Sequence, residues 1–156
     1  MWTSRIVGEG EERASDLLAN PYNYREHSPA QRKALNTVLG NIGWVQRVMV
    51  NKRTGYVVDG HCRIEQAIAN GDQMVPVVYV DLSEEEERQV LATLDPIAAM
   101  AQESRETLEQ VVSELGEVGP DMVGLIAELH DLSAEDVSTE PAAHKEKTCP
   151  HCGGVL

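Results

Sequence analysis

In Tyr56-Val57-Val58-Asp59-Gly60-His61-Cys62-Arg63-Ile64-Glu65-Gln66-Ala67, β-branched residues give way through one glycine to a helical pattern. Val57 and Val58 predict a strand, and Ile64, Ala67 and Ile68 recur at helical spacing until Asn70-Gly71 stops the run. The first turn of such a helix leaves backbone N–H groups without partners and carries partial positive charge, which suits an anion. Gly60 allows close backbone approach. Arg63 adds a forked cation that matches phosphate geometry. These residues alone support two readings: a phosphate seat, or a tight turn with a salt-bridged arginine.

Outward from this stretch the chain keeps alternating strands and helices. Upstream, Lys52-Arg53-Thr54-Gly55 reads as a hairpin turn after a strand over residues 45–51. Before that, Ser28-Pro29-Ala30-Gln31 opens a helix, with a serine cap, proline at the first position and glutamine three residues on. Ala34, Leu35, Val38 and Leu39 are its expected core face, and Gly40 or Gly43 ends it. Residues 20–28 are a polar, aromatic connection, Ser15 to Leu18 a capped turn, and Arg5-Ile6-Val7 a short strand. Downstream, Val75 to Val80 predicts a central strand buried on both faces. Ser83-x-x-Glu86 is a capping box, and the run Glu84 to Glu87 suits a helix N-terminus. That helix carries Val90, Leu91 and Leu94 and is interrupted at Pro96. Two further apolar stripes, Leu108-Val111-Val112-Leu115 and Met122-Leu125-Ile126-Leu129, predict a helical hairpin, with His130 a surface or capping residue. Residues 133–148 read as a flexible tail. The expected organisation is a domain over 1–95, a helical extension over 96–132 and a tail over 133–156.

The ordered series of short motifs resembles the ParB/sulfiredoxin-like superfamily, in the form carried by phages and mobile elements. The pieces are Leu17-x-x-Asn20-Pro21-x-Asn23-x-Arg25-x-His27-Ser28, Ile42-Gly43-x-Val45-Gln46-x-Val48-x-Val50, Val58-Asp59-Gly60-His61-x-Arg63 and Val75-Pro76-Val77. They cover roughly residues 5 to 95. The resemblance implies an α+β fold, a small mixed sheet with flanking helices. Partition proteins usually write the central box Gly-Glu-Arg-Arg, and mobile-element relatives often write it Gly-His-x-Arg. In the family this box wraps nucleotide phosphates, CTP in partition proteins and ATP in sulfiredoxins. The resemblance implies that role for Gly60, His61, Cys62 and Arg63, with Mg2+ accompanying the nucleotide. It also places Arg25, His27 and Ser28 near the phosphates and Gln46 near the pocket. Trp2 and Trp44 are expected to pack, and from its strand-entry position Trp44 could also flank a base.

The departures from that pattern are specific. His61 stands where partition proteins carry the acidic residue linked to hydrolysis, and Arg47 where the family usually has proline. Sulfiredoxins place cysteine before histidine, so their catalytic cysteine does not align with Cys62. A thiol in a helix's first turn beside Arg63 would be nucleophilic if its pKa were lowered; a packed small side chain is the other reading. No helix-turn-helix domain follows, and no metal–carboxylate cluster suggests a nuclease.

Charge and cysteines bound the function further. The chain of 156 residues has a formal net charge of -13 and no Phe, so aliphatic side chains must build its core. Residues 1–72 carry 9 basic and 8 acidic side chains; residues 73–156 carry 4 and 18. Phosphate contacts must therefore come from the first half, and autonomous tight binding to duplex DNA is not expected. No apolar run approaches the ~20 residues of a membrane span, and there is no secretory signal. Three cysteines argue against a disulfide framework and for a reducing cytoplasm. Cys149-Pro150-His151-Cys152 has the form of a zinc knuckle. With His144 and His151, or Cys62, as further candidate ligands it would bind Zn2+ within one chain; with a second knuckle it would bind in a homodimer; with neither it is an unmetallated tail. Two functions remain: a nucleoside triphosphate-binding module with weak hydrolysis or switch behaviour, and an acidic interaction protein that docks on a basic or DNA-binding partner.

Overall fold

The computed structural model describes residues 1–137, in two compact units, Met1–Gln102 and a second beginning at Glu103. The zinc-knuckle residues His144, Cys149, His151 and Cys152 lie outside the described residues. The first unit holds a four-stranded mixed sheet, β1 (Ile6–Arg13), β2 (Val48–Asn51), β3 (Val57–Asp59) and β4 (Met74–Val80), in the order β1-β4-β2-β3. β4 runs antiparallel to β1 and parallel to β2, and β2 pairs antiparallel with β3. The helices of this unit are α1 (Pro29–Asn41), α2 (His61–Ala69) and α3 (Glu84–Ala98). The architecture is α+β, as expected.

Alternation along the strands sends side chains to two apolar layers. Val48, Val50, Val57, Val75 and Val77 meet Ile64 and Ala67 of α2 on one face. Val58 and Val80 meet Leu82 and Leu91, on and before α3, on the other. A sheet covered on both faces with no phenylalanine is filled mainly by valine, whose branched side chain suits the pleat. β4 is central, as its apolar run predicts, but it is not buried on both faces throughout: Val75, Val77 and Val80 are buried, Pro76, Val78 and Tyr79 half-buried and Met74 exposed. Its Pro76 lies opposite Glu11 of β1, while the register with β2 begins one residue later, at Val77. The proline's missing N–H therefore costs no bond to β2.

Several local expectations are corrected. β1 is eight residues long, not three. Its Gly8 and Gly10 and its glutamates disguise a strand. The glycines lie under the Tyr79 ring, where an added Cβ would come 3.7 Å from it. α1 buries no residue fully: Ala34, Leu35, Val38 and Leu39 are only half-buried, because α1 packs on α2 rather than on the sheet. β2 begins at Val48, and Val45 is exposed. α3 continues past Pro96 to Ala98. A proline in the last turn forfeits little of the i→i−4 ladder, and the Ala99 N–H still reaches the Asp95 carbonyl at 2.8 Å.

The second unit contains α4 (Arg105–Ser113), α5 (Pro120–His130) and α6 (Ala134–Val137). α6 lies in a stretch read from sequence as tail, and its Val137 is fully buried.

The capping box at the start of α3 is reinforced across the sheet. The Ser83 side chain accepts from the Glu86 N–H, and the Glu86 carboxylate accepts from the Ser83 N–H at 2.7 Å. Arg5 also grips Glu86 bidentately, at 2.7 and 2.8 Å. This guanidinium, followed by the Ser83 N–H, holds the Glu86 carboxyl down to about 2 from an ordinary 4.5. A depressed carboxyl stabilises the fold above its unfolded value and loses that contribution as pH falls towards the folded one. Glu86→Gln should therefore flatten the acid-side fall in melting temperature between pH 4.5 and about 2, read by thermal denaturation in a pH series. The effect should be small, since both partners are substantially exposed.

Candidate functional site

β3 ends in Asp59, and the chain enters α2 through Gly60 at φ 103° and ψ 15°. A Cβ there would lie 3.1 Å from Val48 Cγ2 and 3.3 Å from Val48 Cα. Conformation and space both require glycine. Gly60 brings no side chain to cap α2, so the N–H groups of His61, Cys62 and Arg63 have no partner within the helix. They form the electropositive end that the sequence predicts.

The residues expected at this site fall into three groups. Gln46 and Arg63 come together: the Arg63 guanidinium donates to the Gln46 side-chain oxygen and, at 3.3 Å, to Asp59. The Arg63 and Asp59 side chains are 15% and 19% exposed, so the arginine is fixed with its edge available to solvent. The salt-bridge reading of Arg63 is therefore part of the geometry, and it orients the cation beside the α2 N-terminus.

His61, His27 and Arg25 form the second group. Burial, above all, pushes the His61 pKa down; the charges of His27 and Arg25 push the same way, against Asp59 and Glu65. His61 Nε2 accepts from the Asn20 N–H at 3.3 Å. His27 pairs through Nδ1 with the Gln31 side chain at 3.1 Å, while its buried Nε2 has no partner among the described residues. Arg25 forms an ion pair with Asp95 of α3 and lies 5.5 Å from the Tyr24 ring centroid.

Ser28, Cys62 and Trp44 are placed differently. The Ser28 hydroxyl caps α1, accepting from the Gln31 N–H at 3.1 Å. Cys62 is buried, and burial, followed by the charge of Glu65, pushes its thiol up despite Arg32 and Arg63. The low-pKa nucleophile is thus replaced by a neutral packed side chain. Trp44 packs against the valine layer beneath α2.

Sequence reasoning missed Asn20, Asn51 and Glu87, which are all buried. The Glu87 carboxylate accepts from Asn20 Nδ2 at 2.8 Å, Asn51 Nδ2 at 2.6 Å and the Thr54 hydroxyl at 2.6 Å. Its signal was phase: Glu87 lies four residues before Leu91, on the apolar stripe of α3. Among the described residues, no group of three or more His, Cys, Asp or Glu side chains could hold a metal ion. None of their helices is long and apolar enough to cross a membrane.

No family model and no curated protein matches the sequence. Solved structures do. The C-terminally truncated chromosome-partitioning protein ParB from Caulobacter crescentus, complexed with CTP-gamma-S, superposes with a TM-score of 0.55 at 19% identity, over 84% of this chain and 75% of that one. Two structures of pNOB8-like ParB N-domains give TM-scores of 0.47 and 0.45 at 16% and 17% identity, over 86% and 88% of this chain and 68% and 65% of theirs. The superposition on the truncated ParB shows a ParB-like fold, the class the ordered motifs suggest.

Gly60→Ala should destabilise the chain by about 1–3 kcal/mol, from left-handed backbone strain and the approach to Val48. Gly40→Ala, within α1 and with nothing within 4 Å of an added Cβ, should stabilise it by about 0.5–1 kcal/mol. Urea midpoints of the two variants check the contrast.

Proposed function

We propose that this chain is a nucleotide-binding module that seats the phosphates of a nucleoside triphosphate, of the CTP or ATP class, on the N-terminus of α2. The carrying observation is the uncapped helix start at Gly60, pressed against Val48 and flanked by a fixed Arg63. Backbone N–H groups in a first helical turn donate to phosphate oxygens without loss of any internal bond. A glycine with no room for a Cβ leaves that backbone uncovered. Arg63 spends one donor each on Asp59 and Gln46, and a guanidinium has five. The unpartnered His27 Nε2 is a further polar atom, on a residue whose charge acts on His61.

The CTP-gamma-S in the ParB relative supports nucleotide as the ligand class. Magnesium would arrive with the nucleotide and be held chiefly by phosphate oxygens and water, since the described residues offer no cluster for it. At the α2 start His61 stands where partition proteins carry the acidic residue linked to hydrolysis. The function that fits is binding that controls shape or association, with slow hydrolysis at most.

A nucleotide at 100 times its dissociation constant should stabilise the chain by about 2.7 kcal/mol. Thermal denaturation with CTP, ATP and GTP plus magnesium should show that gain for at least one of them. Arg63→Ala should lose most of it and still melt cooperatively. No shift with any of the three at millimolar concentration would refute the proposal.

A further inference from the structure

His61 is the residue of the α2 start whose side-chain chemistry is set by another segment of the chain. A backbone N–H can only donate, so the bond from Asn20 to His61 makes Nε2 the acceptor. A neutral imidazole that accepts at Nε2 carries its proton on Nδ1. Asn20 is itself 4% exposed and held from two sides. Its Nδ2 donates to Glu87, and its Oδ1 accepts from the Tyr22 N–H at 2.9 Å. Glu87, 3% exposed, is anchored in turn by Asn51 and Thr54.

We propose that His61 acts at this site as a neutral hydrogen-bond donor, fixed in its Nδ1–H form by the Asn20 backbone N–H, with Asn20 and Glu87 as positioning residues. The inference rests on the nucleotide reading only for what the Nδ1–H donates to; the chain from Glu87 to His61 stands without ligand. A neutral donor can meet a phosphate oxygen without prior proton uptake. Protonation of Nε2 would instead set two donors face to face and break the Asn20 bond. The charged and titratable groups around the ring are Asp59, Glu65, Arg25 and His27, with Glu87 behind Asn20. The two carboxylates nearest the ring favour the cation; burial, Arg25 and His27 oppose it and prevail.

The test uses the full chain with ring-labelled histidine and no nucleotide. At about pH 7.5, a unit above the ordinary histidine value, long-range proton–nitrogen NMR should show a single Nδ1–H tautomer for His61. On acidification, the Asn20 amide resonance should move with the same midpoint as the His61 ring. Asn20→Ala, which frees the segment from Glu87, should give mixed tautomers and raise the His61 midpoint towards its ordinary value. An Nε2–H tautomer or an imidazolium at that pH, or an Asn20 amide indifferent to the His61 titration, would overturn the proposal. A single unchanged tautomer in a folded Asn20→Ala protein would overturn the positioning role. Should that variant not fold, the two measurements on the unmutated chain decide the matter alone. None of them uses nucleotide, so failure here leaves binding at the α2 amides standing, and a failure to bind nucleotide leaves the tautomer result standing.

Discussion

Glu87 is a buried carboxylate with no arginine or lysine partner among the described residues, and its neutral donors tie together most of what surrounds the α2 start. Its oxygens take bonds from Asn20, Asn51 and Thr54. Asn51 also bonds both ways to the Leu82 backbone, at 3.1 Å each. Through these contacts the end of β2, the hairpin turn after it, the start of α3 and the connection before α1 are fastened to one side chain. A hydrogen bond to a charged group contributes about 1.5–3 kcal/mol, and a buried charge stripped of its partners is costly. The four segments are therefore held as a set.

That constraint explains how a short sheet presents an ordered site. β3 and α2 meet at a glycine that Val48 of β2 leaves no room to replace. The position of β2 depends on Asn51 at its end, and the position of Asn20 depends on Glu87. Arg25 is bound to α3 as well, through Asp95. Cationic and imidazole groups so gathered act locally: at physiological salt, charges more than about 8 Å away are largely screened at the surface. The acidity of the chain as a whole is compatible with the proposed anion site, where Asp59 and Glu65 are offset by Arg63, Arg25 and the imidazoles of His61 and His27.

Much of this was legible from residue types and spacing. Ser28-Pro29 and Ser83-x-x-Glu86 marked two helix starts because capping is local chemistry, written within four residues. Gly60 and Arg63 were legible because a strand, a glycine and a helix leave few geometries. Gln46 was placed beside that turn through the motif order. Less legible was whatever depends on partners distant in sequence. β1 reads poorly as a strand because its glycines make sense only beneath Tyr79, nearly seventy residues away. Glu87 sits in a run of four glutamates, and its neighbours Glu84 and Glu85 are exposed. Only its phase against Leu91 distinguishes it, and the three donors that make its burial tolerable come from three other segments. Cys62 was ambiguous for the same reason: a first-turn thiol is activated or inert according to how deeply it is packed, and here it is packed.

The central claim is that phosphate oxygens bind the backbone N–H groups at the start of α2. It is tested most directly by amide NMR of the uniformly labelled chain, titrated with nucleoside triphosphate and magnesium. The account predicts that the amide resonances of Gly60, His61, Cys62 and Arg63 move most and saturate together, while those of α4 and α5 stay in place. Saturating shifts centred on another part of the chain, with the Gly60 to Arg63 amides unmoved, would contradict it.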